Sequence, residues 1–195
     1  MNWISELKQE DKIKRVEALL RSTKKEGIED YIKHLRDVGF YEQYGSIKYH
    51  GNYKGGLLDH SLNILNLLNV LCKLFKINFP ISSIIICAIG HDQCKEEAYI
   101  NGRWNPKNSG NGHAKYSLEI LKKYIVLTPE EETAIKYHMG MYGSFEFGQY
   151  GEFSLAELCD NYNSTKIAKL FYFCDDMVAQ FFDKTQEELN KNNVK

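Results

Sequence analysis

The chain has 195 residues, 43% of them hydrophobic and 26% charged, with a formal net charge of −1. That length suits one domain with its own core, and the near-neutral balance excludes nucleic-acid binding driven by bulk charge. No apolar run reaches the ~18 residues needed to span a bilayer. The N-terminus, MNWISELKQEDKIKR, lacks the basic-then-apolar layout of a signal peptide. Five cysteines without paired spacing point to reduced thiols in a cytoplasmic setting.

Ile4, Leu7, Ile13, Val16, Leu19 and Leu20 recur at helical spacing and predict an opening amphipathic helix. Ile28, Tyr31, Ile32 and Leu35 predict a second, ending near Gly39. Residues 57–75 are apolar nearly all round, as a central helix would be. The isoleucine-rich segment 84–89 suits a buried strand as well as a helix, and Ser82 or Ser83 as an N-cap favours the helix. Residues 96–112 form the longest irregular stretch, a length that is usually functional or disordered, and its place between His91-Asp92 and His113 favours function. A helix over 113–124 follows. Thr128, Pro129, Glu130 and Glu131 then supply a cap, a proline at the first helical position and acids in the first turn of a helix ending at 138–140. A last long helix spans 165–182, and the tail from Gln186 frays. The predicted class is all-α: one compact helical bundle with a metal site between central helices, residues 1–44 packing as N-terminal helices on a core of 45–195.

Histidines and acids recur beside these apolar runs: His60 in GGLLDHS, His91 and Asp92 in GHDQCK, His113 in GNGHAKYS, His138 in IKYHMG, and Asp175 or Asp176 in FCDDMVA. Buried polar groups cost free energy unless satisfied, and one divalent cation satisfies several at once. Imidazole and carboxylate suit manganese, iron, nickel, cobalt or zinc, with magnesium also possible, and no thiolate set of the structural-zinc kind is present. The ligands outnumber what one tetrahedral ion needs, so either one ion or two sharing Asp92 fits. Lys95 follows Asp92 by three residues and His91 by four, on the same helical face, where a cation can hold a phosphate. His34, on a helix without a companion motif, reads as a core histidine with a hydrogen-bond partner. Cys72, Cys87 and Cys174 read as core, and Cys94 as packing beside the site.

The order His, His-Asp, His, His, Asp on a helical chain resembles the HD-domain superfamily of metal-dependent phosphohydrolases, over roughly residues 45–182. GGLLDHS is similar to the first-histidine motif of a branch with small bacterial and phage HD proteins, and GHDQCK to the HDxxK signature. Gln93-Cys94 departs from the usual apolar-plus-glycine pair. The resemblance implies that His60, His91, Asp92 and the acid at Asp175 or Asp176 hold one metal, that His113 and His138 complete a second with Asp92 between them, and that Lys95 contacts phosphate or the attacking water.

The expected activity is hydrolysis of a phosphate ester of a nucleotide, or of a short single-stranded nucleic acid, by a metal-activated water. The alternatives are a non-catalytic nucleotide-binding regulatory module and a di-iron oxygenase. His50 is expected to support the site or touch substrate, and Lys54, Arg103, Lys115 and Tyr137 are candidate substrate contacts. Tyr49, Tyr53, Trp104, Tyr116, Tyr137 and Tyr142 are candidates to stack on a base or to form core and pocket wall.

Overall fold

In a computed structural model that describes residues 7–100, 103–104, 112–145 and 151–192, the chain is all-helical apart from one two-residue ladder. Helices α1 (Gln9–Ser22) and α2 (Ile28–Asp37) bury Val16 and Leu20, and Tyr31, Ile32 and Leu35, on one face each. The expected contribution of Ile4 lies outside the described residues. Helix α2 stops where Gly39 takes a left-handed φ of 71°, the conformation that glycine adopts without a Cβ penalty.

The central pair is α3 (Gly56–Leu74) and α4 (Ile81–Gly90). Every residue of α3 from Gly56 to Leu65 is buried, which the all-round apolar stretch requires. The isoleucine-rich segment resolves as helix: α4 touches α1, α3 and the later helices His113–Leu121 and Pro129–Lys136, and is buried from Ser83 to Gly90. Neither Ser82 nor Ser83 caps it. Pro80, with a ψ of 136°, occupies the cap position, and the Ser83 hydroxyl donates instead to the buried carboxylate of Glu131 at 2.7 Å.

The stretch expected to be irregular begins with a short helix, α5 (Lys95–Ala98), then strands β1 (Tyr99–Ile100) and β2 (Arg103–Trp104), which pair Tyr99 with Trp104 and Ile100 with Arg103. Helix α6 (His113–Leu121) ends sooner than the periodicity suggests. It packs closely against α4 at Gly90, where a Cβ would lie 2.7 Å from a methyl of Leu121. Helix α7 (Pro129–Lys136) carries the expected cap in full. The Thr128 side chain accepts from the Glu131 backbone N–H, and the Glu131 carboxylate accepts from that of Thr128.

The last long helix forms over nearly the span expected, 166–182, with its final turn altered. Helix α9 (Lys166–Met177) passes into a π-turn over Val178–Phe182, and a separate helix, α8 (Leu155–Ser164), precedes it. The tail is ordered as α10 (Gln186–Asn192), not frayed, because Thr185 and Glu188 cap its start reciprocally. The N-terminal helices share one continuous core with α3, α4, α7 and α9. A buried ion pair joins Lys12 of α1 to Asp59 of α3 at 2.6 Å. Among the described residues, no helix is long and apolar enough to cross a membrane.

Candidate metal centre

Helix ends, where backbone leaves the ladder and side chains can converge, build the site. Helix α3 presents His60 from its second turn, α4 ends at His91 with Asp92 in the turn that follows, and α6 begins at His113. His138 lies just past α7, and α9 contributes Asp175. Gly140, two residues after His138, has a φ of 52°, and a Cβ there would collide with the Tyr172 ring of α9. That close approach seats the His138 turn against the helix carrying Asp175.

Asp92 is the centre of the arrangement. Its Oδ2 faces His91 Nε2 at 3.3 Å, His60 Nε2 at 3.8 Å and Lys95 Nζ at 2.5 Å. Its Oδ1 faces His113 Nε2 at 2.6 Å and His138 Nε2 at 3.7 Å. Asp175 Oδ1 lies 3.0 Å from His60 Nε2 and 4.0 Å from His91 Nε2. The neighbouring Asp176 is exposed, as the ~100° turn between successive helical residues dictates. His60, His91, Asp92 and His138 are at most 2% exposed, whereas the side chains of His113 and Asp175 are 14% and 17% exposed. The centre therefore opens past His113 and Asp175.

The tautomers follow from the partners. His91 Nδ1 donates to the Ala88 carbonyl at 3.1 Å, and His138 Nδ1 to that of Ile135 at 2.6 Å. Carbonyls and carboxylates only accept, so each neutral ring turns an Nε2 lone pair inward. His138 Nε2 is buried and has no hydrogen-bond partner among the described residues. His60 and His91 bring their Nε2 atoms to 3.3 Å of each other beside two carboxylates. Such a concentration of buried acceptors calls for positive charge at its middle.

Titration directions agree. Burial opposes ionisation of Asp92, but Lys95, His91 and His113 hold its carboxyl well below the usual range. Asp175 is likewise lowered against burial, chiefly by its bond with His60 and the charge of His91. Burial pushes the pKa of His91 down, towards the neutral form a ligand needs. Four sets of side chains are close enough to hold a metal ion: His50, His60 and Asp183; His60, His91 and Asp175; His91, Asp92 and His138; and Asp92, Cys94 and His113. The donors are imidazole and carboxylate with one thiol, and the orphaned Nε2 of His138 lies among them, so the residues present fit a divalent transition metal.

Other side chains take different places. Lys95 donates to the Gly45 carbonyl as well as to Asp92. Cys94 does more than pack: its Sγ is 3.0 Å from His113 Nδ1. His50 lies behind His60, its ring 4.9 Å away, and donates to Asp183 at 3.0 Å. Lys54 forms an exposed ion pair with Glu42, and the Lys115 side chain is exposed, so neither joins the groups around Asp92. The side chains of Arg103 and Trp104 lie outside the described residues. Tyr137 is core, donating to Glu157 with its ring tilted against that of Phe153; Tyr53 is buried on Asp59, while Tyr49 and Tyr142 are exposed. His34 has the partners expected of a core histidine, Glu96 and the Tyr124 hydroxyl.

Sequence reasoning missed Asp183 and Asn63. Asp183 Oδ2 accepts from His60 Nδ1 at 2.6 Å, and its Oδ1 accepts from the Asn63 amide at 3.0 Å. No local motif marks Asp183; only the docking of the chain's last segment brings it to His60. Asn63, one turn beyond His60 on α3, carried the signal of a polar residue inside an apolar helix. No family model, no curated protein and no solved structure matches this chain.

Proposed function

We propose that the chain is a metal-dependent phosphohydrolase acting on a phosphate ester of a nucleotide or a short single strand. The observation that carries this reading is the division of Asp92. One of its oxygens serves His60 and His91 and the other serves His113 and His138, an arrangement suited to two cations sharing one carboxylate. The resemblance of the motifs to HD-domain phosphohydrolases points the same way.

The bound ions would polarise a phosphoryl oxygen and acidify a water near neutral pH. The chain's own part is orientation, charge and exclusion of solvent. His60, His91, His113, His138, Asp92 and Asp175 are the ligands of this reading. Buried Asp92 stays ionised, so it offers both oxygens without a proton to displace. The Lys95 ammonium adds a fixed positive charge 2.5 Å from Asp92, placed to offset charge growing on phosphoryl oxygens. Tyr49 and Tyr142, exposed and next in sequence to His50 and the His138 turn, are available to stack on a base.

The test is elemental analysis of protein purified without added metal, then phosphate release from nucleoside monophosphates and a short single-stranded oligonucleotide with Mn²⁺. The expected result is bound transition metal and metal-dependent cleavage of at least one substrate. Metal with no cleavage, or iron with oxygen consumption instead, overturns the reading.

A further inference from the structure

We propose that Asp183 is a positioning residue for the metal centre, fixing from behind the tautomer and orientation of His60. The inference rests on the metal-centre reading above. His60 is held at both nitrogens by acids from one stretch of chain: Asp175 at 3.0 Å from Nε2 and Asp183 at 2.6 Å from Nδ1. Eight residues of unbroken α-helix amount to two turns plus ~80°, which would not set two acids on opposite sides of one ring. The π-turn over Val178–Phe182 interrupts the helix, and Asp183 follows in an extended conformation with its N–H still bonded to the Val178 carbonyl at 2.9 Å. Segments of π-helix are rare and concentrate where function constrains the chain.

Asp183 belongs behind the ligands and not among them. The ring atoms facing the centre are Nε2 atoms, whereas Asp183 meets Nδ1 of both His60 and His50 and takes the Asn63 amide on its other oxygen. Its side chain is 1% exposed. A carboxylate on the far nitrogen makes that nitrogen the donor, keeps Nε2 as the ligand atom and raises its basicity.

The support is itself fastened. The Gly51 N–H donates to the Lys184 carbonyl at 3.0 Å, and the Gln186 N–H to Asn52 Oδ1 at 2.7 Å. The same loop supplies the Gly45 carbonyl that holds Lys95. Its backbone is tight enough that a Cβ on Gly56 would collide with the Gly51 carbonyl oxygen. One loop thus braces the supports of both His60 and Asp92.

The test titrates metal-free protein with Zn²⁺ and records the visible absorption of the Co²⁺ form, for wild type, Asp183→Asn and Thr185→Ala. Asp183→Asn should weaken Zn²⁺ binding about 10- to 100-fold and alter the Co²⁺ bands. Thr185→Ala removes the cap of α10 and loosens the same tail without touching His60 or Asp183, and should lower thermal stability while keeping the wild-type Kd. A wild-type Kd in Asp183→Asn, or equal weakening in both variants, overturns the proposal and leaves the metal centre standing. Failure of wild type to bind Zn²⁺ overturns both. Should Asp183→Asn fail to fold, imidazole ¹⁵N spectra of Zn²⁺-loaded wild type decide: a proton on His60 Nδ1 supports the assignment, and its absence refutes it.

Discussion

The Lys95 ammonium lies 2.5 Å from Asp92 Oδ2, three residues along the chain, and the two side chains are 10% and 3% exposed. Each is the other's main compensation for leaving water. Asp92→Ala should remove both bound metal and turnover. It should also cost about 3–5 kcal/mol of stability, since a buried ammonium loses its partner. Elemental analysis and urea denaturation check this; wild-type metal content in the variant would place the cation elsewhere.

His138 and His113 share Oδ1 of Asp92, while His60, His91 and Asp175 form a group of their own. His138→Ala should therefore lower metal content from about two ions to about one, measured by mass spectrometry of the intact protein. Unchanged stoichiometry would mean a single ion, with His113 and His138 left for substrate.

Asp175 and Asp176 are adjacent yet face different surroundings, the first against His60 and the second exposed. Asp175→Asn should lose most of the metal affinity, and Asp176→Asn should match wild type in metal content and melting temperature. Equal behaviour of the two would contradict the helix geometry.

Burial lowers the affinity of His60 for a proton, but Asp183 and Asp175 outweigh it and raise its pKa from 6.5 to about 10 in metal-free protein. The stability gained this way is complete below pH 6.5 and is lost as pH rises through 10. Asp175 and Asp183 are lowered and so stay ionised across that window, and the raised pKa of His113 adds to the effect with the same sign. Metal-free protein should melt at lower temperature as pH rises from 6.5 towards 10. A bound cation displaces the proton and should flatten the profile. Thermal melts with and without chelator test this, and a flat metal-free profile would argue against a protonated His60.

Lys12 reaches from α1 to Asp59, the neighbour of His60, and Tyr53 donates to the other oxygen of the same carboxylate at 2.8 Å. Lys12→Met should destabilise the protein by about 3–5 kcal/mol through the uncompensated buried acid. Urea denaturation gives the value; a change below ~1 kcal/mol would show that solvent reaches Asp59.

The sequence was most informative where structure is local. The capping box at Thr128 and Glu131, the stop at Gly39 and the burial of the first half of α3 follow from spacing and backbone chemistry, whereas Val70, Leu74 and Phe75 in the same apolar stretch are exposed. Motif histidines could be paired with their segments because each adjoins an apolar helix. What stayed hidden depends on distant segments meeting. Ser83 serves Glu131 from another helix, Lys95 finds the Gly45 carbonyl across 50 residues, and Asp183 reaches His60 across 123. Helix α8 was hidden too, although the start of α9 near Thr165 was legible.

The gathered donors stretch from His60 to Asp175, with their brace at Asp183. The sets around Asp92 Oδ1 are complete once residue 138 has emerged, whereas the set around His60 waits for residues 175–183. The two sides of Asp92 would therefore be furnished in order during synthesis, the His113 and His138 side first and the His60 side last.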